Sequence, residues 1–334
     1  PDPSSQIVCT LGGNVAENSG GPHCLKYGFT INHVLGLKIV TADGEVVDLG
    51  GPCLDMPGYD LVALLVGSEG MLGMVAEITL NIMPKAEAVE TLLAVFKDQK
   101  DGAGAVSDVV ASGIIPTAME LMDKVMVGAI QASMDAGYPP DAEAVLLIEL
   151  DGLRDGMERY LKRLEEICLR RGALQVRIAR DEREREQLWK GRKGAASAVG
   201  RIAPNALTQD GGVPPSKIAE VLEEIEAIAK RHRLLIGNVA HAGDGNLHPI
   251  MLFDERNPDE MERVKRAGEE ILRACVRAGG TISGEHGIGL EKRDYMGLLF
   301  SPQELKVMYD IKGAFDPNDI MNPGKVLPQR VGGY

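Results

Sequence analysis

The chain has 334 residues, of which 44% are hydrophobic and 25% charged. This composition excludes a disordered or fibrous protein, and at roughly 150 residues per domain the length predicts about two domains. Lys and Arg total 36 against 49 Asp and Glu, a net charge of −13, which excludes a nucleic-acid binder built on a basic face; no apolar run reaches the ~18 residues of a membrane span, so any membrane contact is expected to be peripheral.

In chain order, residues 1–85 are rich in glycine, with Gly12-Gly13, Gly20-Gly21, Gly50-Gly51 and the series Gly67, Gly70 and Gly73. Between them a hairpin is predicted. Val34 to Val40 is apolar-rich, Asp43-Gly44 is a turn dipeptide, and Val46-Val47 resumes the strand. A short helix is predicted over Asp60 to Val66, then a strand from Met74 to Ile82 that stops at Pro84. From Glu90 strands alternate with helices: Leu92–Phe96, Thr117–Leu121, Ala144–Leu150 and Leu174–Ile178 read as strands, and Asp155–Arg171 as a helix. Ile218, Val221, Leu222, Ile225 and Ile228 form one helical apolar face, and Val264, Ala267, Ile271 and Cys275 another. Hairpins among alternating strands and helices predict an α+β fold rather than a purely parallel sheet. The tail from Pro302 to Pro328 reads as a short helix followed by an extended Pro/Gly-rich segment.

The five cysteines, Cys9, Cys24, Cys53, Cys168 and Cys275, are widely spaced and form no C-x-x-C pair. They read as reduced structural thiols in a cytoplasmic setting, and the chain is expected to carry no iron–sulfur cluster of its own. There is no signal-peptide pattern. The chain begins without Met and its first residues read as the interior of a domain, so a fragment is expected.

Chemistry concentrates in two motifs. In Val239-Ala-His-Ala-Gly-Asp-Gly-Asn-Leu-His-Pro249 an apolar strand leads into His241, glycines make a turn, and His248 opens the returning strand. Directly opposed residues of such a hairpin share a face with Cβ atoms about 4.5–5.5 Å apart. Two imidazoles so placed can chelate one ion; the spacing also fits two hydrogen-bonded histidines at a strand end. In Ser283-Gly-Glu-His-Gly-Ile-Gly289, Glu285 and His286 lie between glycines whose bent backbone could aim both at one site. Two histidines and one carboxylate, His241, His248 and Glu285, make a catalytic metal set with an open position, and His286 is then the adjacent base. His23, His33 and His232 lack such company and read as structural or surface residues. No complete G-x-G-x-x-G follows a strand, which argues against a nicotinamide-type fingerprint; the small residues near the start could instead hold a pyrophosphate or a flavin ring.

The motifs DPSS (2–5), GGNVAENSGGPHCLKYG (12–28), GYDLVALLVGSEGMLGMVAEITL (58–80), LWKGRKGA (188–195), HAGDGNLHP (241–249), SGEHGIGLEK (283–292) and FDPNDIMNPGK (315–325) occur in one order along the chain. In that order and spacing the chain resembles the FAD-linked D-2-hydroxy-acid dehydrogenases of the vanillyl-alcohol-oxidase (PCMH-type) flavoproteins, nearest the glycolate oxidase catalytic-subunit group. The resemblance implies FAD, along which Pro3, Ser4, Gly12, Gly13, Asn14, Ala16, Asn18, Ser19, Gly20, Glu69, Gly73, Val75, Ile78 and Asn322 would lie. It also implies a divalent ion (zinc, manganese or iron) on His241, His248 and Glu285, with His286 as base and Arg192 as clamp on the substrate carboxylate. A guanidinium suits that bidentate task, although Arg192 also reads as one more charge on a helix carrying Arg183, Arg185, Lys190 and Lys193.

The implied organisation is residues 1–85 as the second half of the FAD-binding domain, 86–300 as a cap with a ferredoxin-like antiparallel sheet, and 301–334 as a helix and tail returning to the flavin. Relatives acting on larger diacids carry a Thr and a Lys where Ala196 and Thr208 stand here, so a small 2-hydroxy acid, glycolate or D-lactate, is expected. The family also has a further N-terminal stretch with the first FAD loop, so retention of FAD by this chain is left open. Electrons are expected to leave to an iron–sulfur-type partner subunit or a quinone, on a cytoplasmic protein at most peripheral to the inner membrane. Two rivals are a metal-dependent hydrolase without flavin, which would not account for the glycine-rich start, and a non-catalytic subunit.

Overall fold

Asp43-Gly44 closes the first hairpin: Thr41 N–H donates to Glu45 O at 2.9 Å, and Gly44 takes φ +81°, which a residue without Cβ adopts at little cost. The computed structural model describes residues 2–54, 57–139 and 141–329; residues 330–334 of the expected tail lie outside the described residues. Strands β1 (Val34–Val40) and β2 (Val46–Gly50) pair antiparallel with Val40 opposite Val46, and β3 (Met74–Leu80) pairs with the other edge of β1. The order β2-β1-β3 makes β1 central, and Val34, Leu37 and Ile39 on it are buried with Val15, Leu65, Val66, Met71 and Leu72. The helix Leu61–Leu65 is capped by Asp60, whose side chain accepts from Ala63 N–H at 2.8 Å.

The chain divides into two compact units. The first holds the described residues up to Pro84 and takes the chain back at Ile282; the second is Lys85–Thr281. The sequence places this return at residue 301.

In the first unit the tail helix Pro302–Phe315 packs Ile311 and Phe315 against the core. Lys312, on the same helix, is buried. Its ammonium donates to Met71 O at 3.0 Å, to Met321 O at 2.6 Å and to the Asp316 carboxylate. Asp316 also accepts from the backbone N–H groups of Ile320 and Met321. Burial pushes the Asp316 carboxyl up, but Lys312 and these two donors outweigh it and hold the group below its ordinary value. One buried ion pair thereby ties the tail helix, the segment after it and the loop at Met71.

The second unit is built on a sheet of β4 (Ala88–Phe96), β5 (Ala118–Asp123), β6 (Ala144–Gly152), β7 (Gln175–Ile178), β8 (Asn205–Thr208), the two-residue β9 (Gly211–Gly212), β10 (Leu235–His241) and β11 (Asn246–Phe253). Its order is β7-β4-β6-β5-β10-β11-β8, with β9 also on β11, and every pairing is antiparallel. Counted one to four, β4 to β7 lie in the spatial order four-one-three-two, the ferredoxin-like arrangement. The hairpin β10–β11 extends it beyond β5.

Alternation along each strand sends side chains to two faces. Phe96 and Leu121 meet the helix Gln99–Ala111, where a Cβ on Gly102 would lie 2.8 Å from Leu121. Leu93, Val95, Ala118, Met122, Val239, Ile250 and Leu252 form the opposite core with Ile130, Leu188 and Trp189. The two apolar faces read from sequence are buried as expected, on the helices Ile218–His232 and Pro258–Arg277. No described helix is long and apolar enough to cross a membrane.

Replacing Lys312 with Met removes one partner of a buried pair and leaves the Asp316 charge uncompensated. The variant is expected to lose about 3–5 kcal/mol of stability, read from urea unfolding followed by circular dichroism; a loss under about 1 kcal/mol would show that the pair does not tie down the tail.

Candidate functional site

Three strands of the second unit carry a polar group on the same face as the core. On β5, Glu120 lies between Ala118 and Met122; on β10, His241 follows Val239; on β11, His248 precedes Ile250. The period of two therefore points all three side chains to one side. His241 pairs directly with Glu120 across β10–β5. The hairpin register differs from the symmetric arrangement expected from sequence: His241 stands opposite Asn246, and His248 opposite Val239. The turn takes the four residues Ala242–Gly245, so the histidines are diagonal rather than directly opposed. They still share a face, with ring centroids 5.2 Å apart and planes at 88°.

Glu120 has no solvent exposure. Its Oε1 and Oε2 lie 2.8 and 2.9 Å from His241 Nδ1, and Oε2 accepts from Arg192 Nε at 2.6 Å. Burial pushes its carboxyl up; the adjacent Arg192 and His241 outweigh that and hold it below the ordinary carboxylate value. A carboxylate on Nδ1 orients the imidazole and leaves Nε2 as the nitrogen that could bind a cation, as in carboxylate–histidine–metal triads. Beside His248, the buried Asp210 places an oxygen 3.9 Å from Nδ1. Two imidazoles on one face, one of them oriented by a carboxylate, fit a borderline cation such as zinc or iron(II). Arg192, the expected substrate clamp, is buried on the helix Glu182–Lys193 and is held by Glu120 through Nε.

The first unit gathers another set. Glu69, at φ +51°, accepts from Ile288 N–H at 2.6 Å and Gly289 N–H at 2.8 Å, while its carbonyl accepts from Asn322 Nδ2 at 2.6 Å. Gly287 is required here: at φ +82° a Cβ would fall 2.3 Å from the Glu17 carboxylate. Ser283 Oγ donates to Gly287 O and closes the bend that carries Glu285 and His286. A cavity of about 520 Å³ is lined by Glu17, Glu69, His286, the backbone run from Gly287, Asn322 and Lys325. Its size and mixed polar wall suit a planar ring system of flavin dimensions.

The other residues assigned to the flavin are spread over the first unit. Gly12, Gly13, Asn14 and Ala16 lie on the helix Leu11–Glu17, and Asn18 ends it at φ +51°, accepting from Ile31 N–H at 2.9 Å. Gly20 sits against Phe29 and Glu285, where a Cβ would lie within 2.9 and 3.1 Å. Ser19 is buried, its carbonyl accepting from Thr30 Oγ1. Pro3 and Ser4 open the turn before the helix, Pro3 O accepting from Gln6 N–H. Gly73 precedes β3, and Val75 and Ile78 on that strand pack on the core. His23 pairs with Asp2 at 2.7 Å and His232 with Glu270 at 2.9 Å, as structural histidines would.

Sequence reasoning passed over Glu120, Asp210 and Glu17. The signal for Glu120 was available: it is one acid inside the apolar run Ala118-Met-Glu-Leu-Met122.

The chain belongs to the FAD-linked oxidases. Residues 85–326 match the family described as "FAD linked oxidases, C-terminal domain", and residues 1–50 match "FAD binding domain". It is 48% identical to glycolate oxidase subunit GlcD of Escherichia coli (strain K12) over 98% of this chain and 66% of that protein. It is 43% identical to glycolate oxidase subunit GlcD of Bacillus subtilis (strain 168), over 98% and 70%. With D-lactate dehydrogenase of Anaerostipes hadrus it shares 32%, also over 98% and 70%. The chain thus spans about two thirds of the length of these relatives. In fold it is similar to p-cresol methylhydroxylase, with a TM-score of 0.76 at 14% identity over 99% of this chain and 72% of that one. It is likewise similar to 4-ethylphenol oxidase from Gulosibacter chungangensis, with a TM-score of 0.74 at 18% identity, over 96% and 71%. The α+β, PCMH-type fold expected from sequence is the one observed.

Burial, and then the neighbouring Glu69, push the Glu17 carboxyl up to about 7. A raised acid adds stability that is full below its unfolded pKa, near 4.5, and lost as pH rises through about 7. Glu17→Gln is therefore expected to flatten the fall in stability between pH 5 and 8, seen in melting temperatures across that range; an unchanged slope would place the titration elsewhere.

Proposed function

We propose that this chain belongs to an FAD-dependent dehydrogenase that oxidises a small 2-hydroxy acid, glycolate or D-lactate, to the 2-keto acid. The observation that carries the reading is the buried Glu120 bridge between His241 and Arg192, beside His248 on the same sheet face. The names of the similar glycolate oxidase subunits and D-lactate dehydrogenase point to the same substrate class.

When bound, FAD would supply a two-electron acceptor and a divalent ion would supply Lewis acidity toward the substrate hydroxyl. His241 and His248 are the proposed imidazole ligands. Glu285 and His286 belong to the first unit and are, on the sequence motif, the proposed carboxylate ligand and base. His286 takes the hydroxyl proton as the keto group forms. The Arg192 guanidinium binds the substrate carboxylate, and Ala196 and Thr208 offer no charge for a second one, which favours a monocarboxylate. Glu69 and Asn322, joined by the bond from Nδ2 to the carbonyl, form the wall proposed against the flavin. Electrons would pass to an iron–sulfur-type partner subunit or a quinone, on a cytoplasmic protein held at most at the membrane surface.

The holoenzyme should reduce an artificial acceptor with D-lactate or glycolate and show flavin absorbance; flavin-independent ester or amide hydrolysis instead would favour the metal-hydrolase alternative. His286→Ala is expected to lower kcat about 10²–10⁴-fold, roughly 3–5 kcal/mol of transition-state stabilisation, with flavin and metal content kept. Glu285→Ala should lose metal and activity together. Near wild-type kcat in His286→Ala would remove the base assignment.

A further inference from the structure

We infer that Glu120 is a positioning residue that couples the ion site to the substrate carboxylate, because one buried carboxylate sets both His241 and Arg192. The inference rests on the function proposed above and adds a residue to it.

Glu120 presents its two oxygens to two partners from different elements: His241 on the neighbouring strand, at 2.8 and 2.9 Å, and Arg192 on the helix Glu182–Lys193, at 2.6 Å. As an acceptor it holds the hydrogen of His241 on Nδ1 and leaves the lone pair on Nε2, the nitrogen that binds a cation. The bond from Arg192 runs through Nε, which fixes the plane of the guanidinium and leaves its orientation toward a carboxylate set by the same oxygen. A displacement of Glu120 moves both groups at once.

A purely structural reading would make Glu120 one end of a buried ion pair that anchors the helix. The same helix has a second anchor of that kind. Glu149 on β6, also buried, accepts from Trp189 Nε1 at 2.6 Å and Thr91 Oγ1 at 3.0 Å, with Arg185 at 3.6 Å. On the sheet Glu149 stands opposite Thr91 of β4 and Ala118 of β5 and not on the β10–β11 hairpin, so Glu149 supplies the control for anchoring alone.

The decisive substitution is Glu120→Gln. The amide has the same shape but one acceptor oxygen. If Arg192 Nε takes that oxygen, the amide NH₂ faces Nδ1 and favours the tautomer with hydrogen on Nε2, which closes the ligating nitrogen. Metal-free protein titrated with zinc alone, in competition with a chromogenic chelator, is expected to lose about 10–100-fold in affinity in E120Q. The KM for D-lactate should rise in the same variant. E149Q should melt at a lower temperature yet bind zinc as the wild type does.

Equal zinc affinity in E120Q and wild type, or equal losses in E120Q and E149Q, would overturn the inference. If E120Q does not fold, E120D decides: weaker zinc binding by folded E120D supports the coupling, and wild-type affinity with wild-type KM overturns it. A wild-type protein whose zinc binding does not depend on His241 would instead remove the proposed metal site, a distinguishable failure.

Discussion

A carboxylate without solvent exposure can stay ionised only if the protein supplies the charge and hydrogen bonds that water would have supplied. Glu120 meets that condition with Arg192 and His241, and the arrangement of the second unit around it follows. Three antiparallel strands must lie in register so that alternation delivers Glu120, His241 and His248 to one face. The helix Glu182–Lys193 must lie over that face for Arg192 to reach the carboxylate. The apolar neighbours Val239, Met122 and Ile250 exclude water from the same side, so the polar group is continuous with the core instead of lying in an exposed cleft.

The first unit solves a different problem with the same physics. Its three-stranded sheet is small, and both edge strands are largely exposed. A buried Lys312–Asp316 pair and the Glu69 contacts to Ile288, Gly289 and Asn322 hold the later segment of the chain on the earlier one. Backbone amides do much of this work, and the conformations they need explain the glycines: Gly287 lies where any side chain would collide with Glu17. The result is a cavity walled by both polar and apolar groups, of a size that a planar ring system fits.

Much of this was legible in the residues. The hairpin at Asp43-Gly44, the short helix from Asp60, the two amphipathic helices and the strands from Leu92 to Ile178 follow from periodicity and turn chemistry, both local properties. The two histidine motifs announced themselves because titratable residues stood among glycines at strand ends. Glu120 escaped notice because one acid in an apolar strand reads as an interruption until its partners are known. Those partners are 72 and 121 positions away in the chain.

By itself the sequence determined the class of fold, the chemistry available and the segments that carry it, because strand and helix periods, turns and residue types are written locally. Only the tertiary structure decided the register of the β10–β11 hairpin and the joining of Arg192 and His241 through Glu120. The reason is physical. A shift of one residue along a strand moves every side chain to the other face, and which shift is adopted depends on packing against distant elements: here the helix that carries Arg192 and the core it covers.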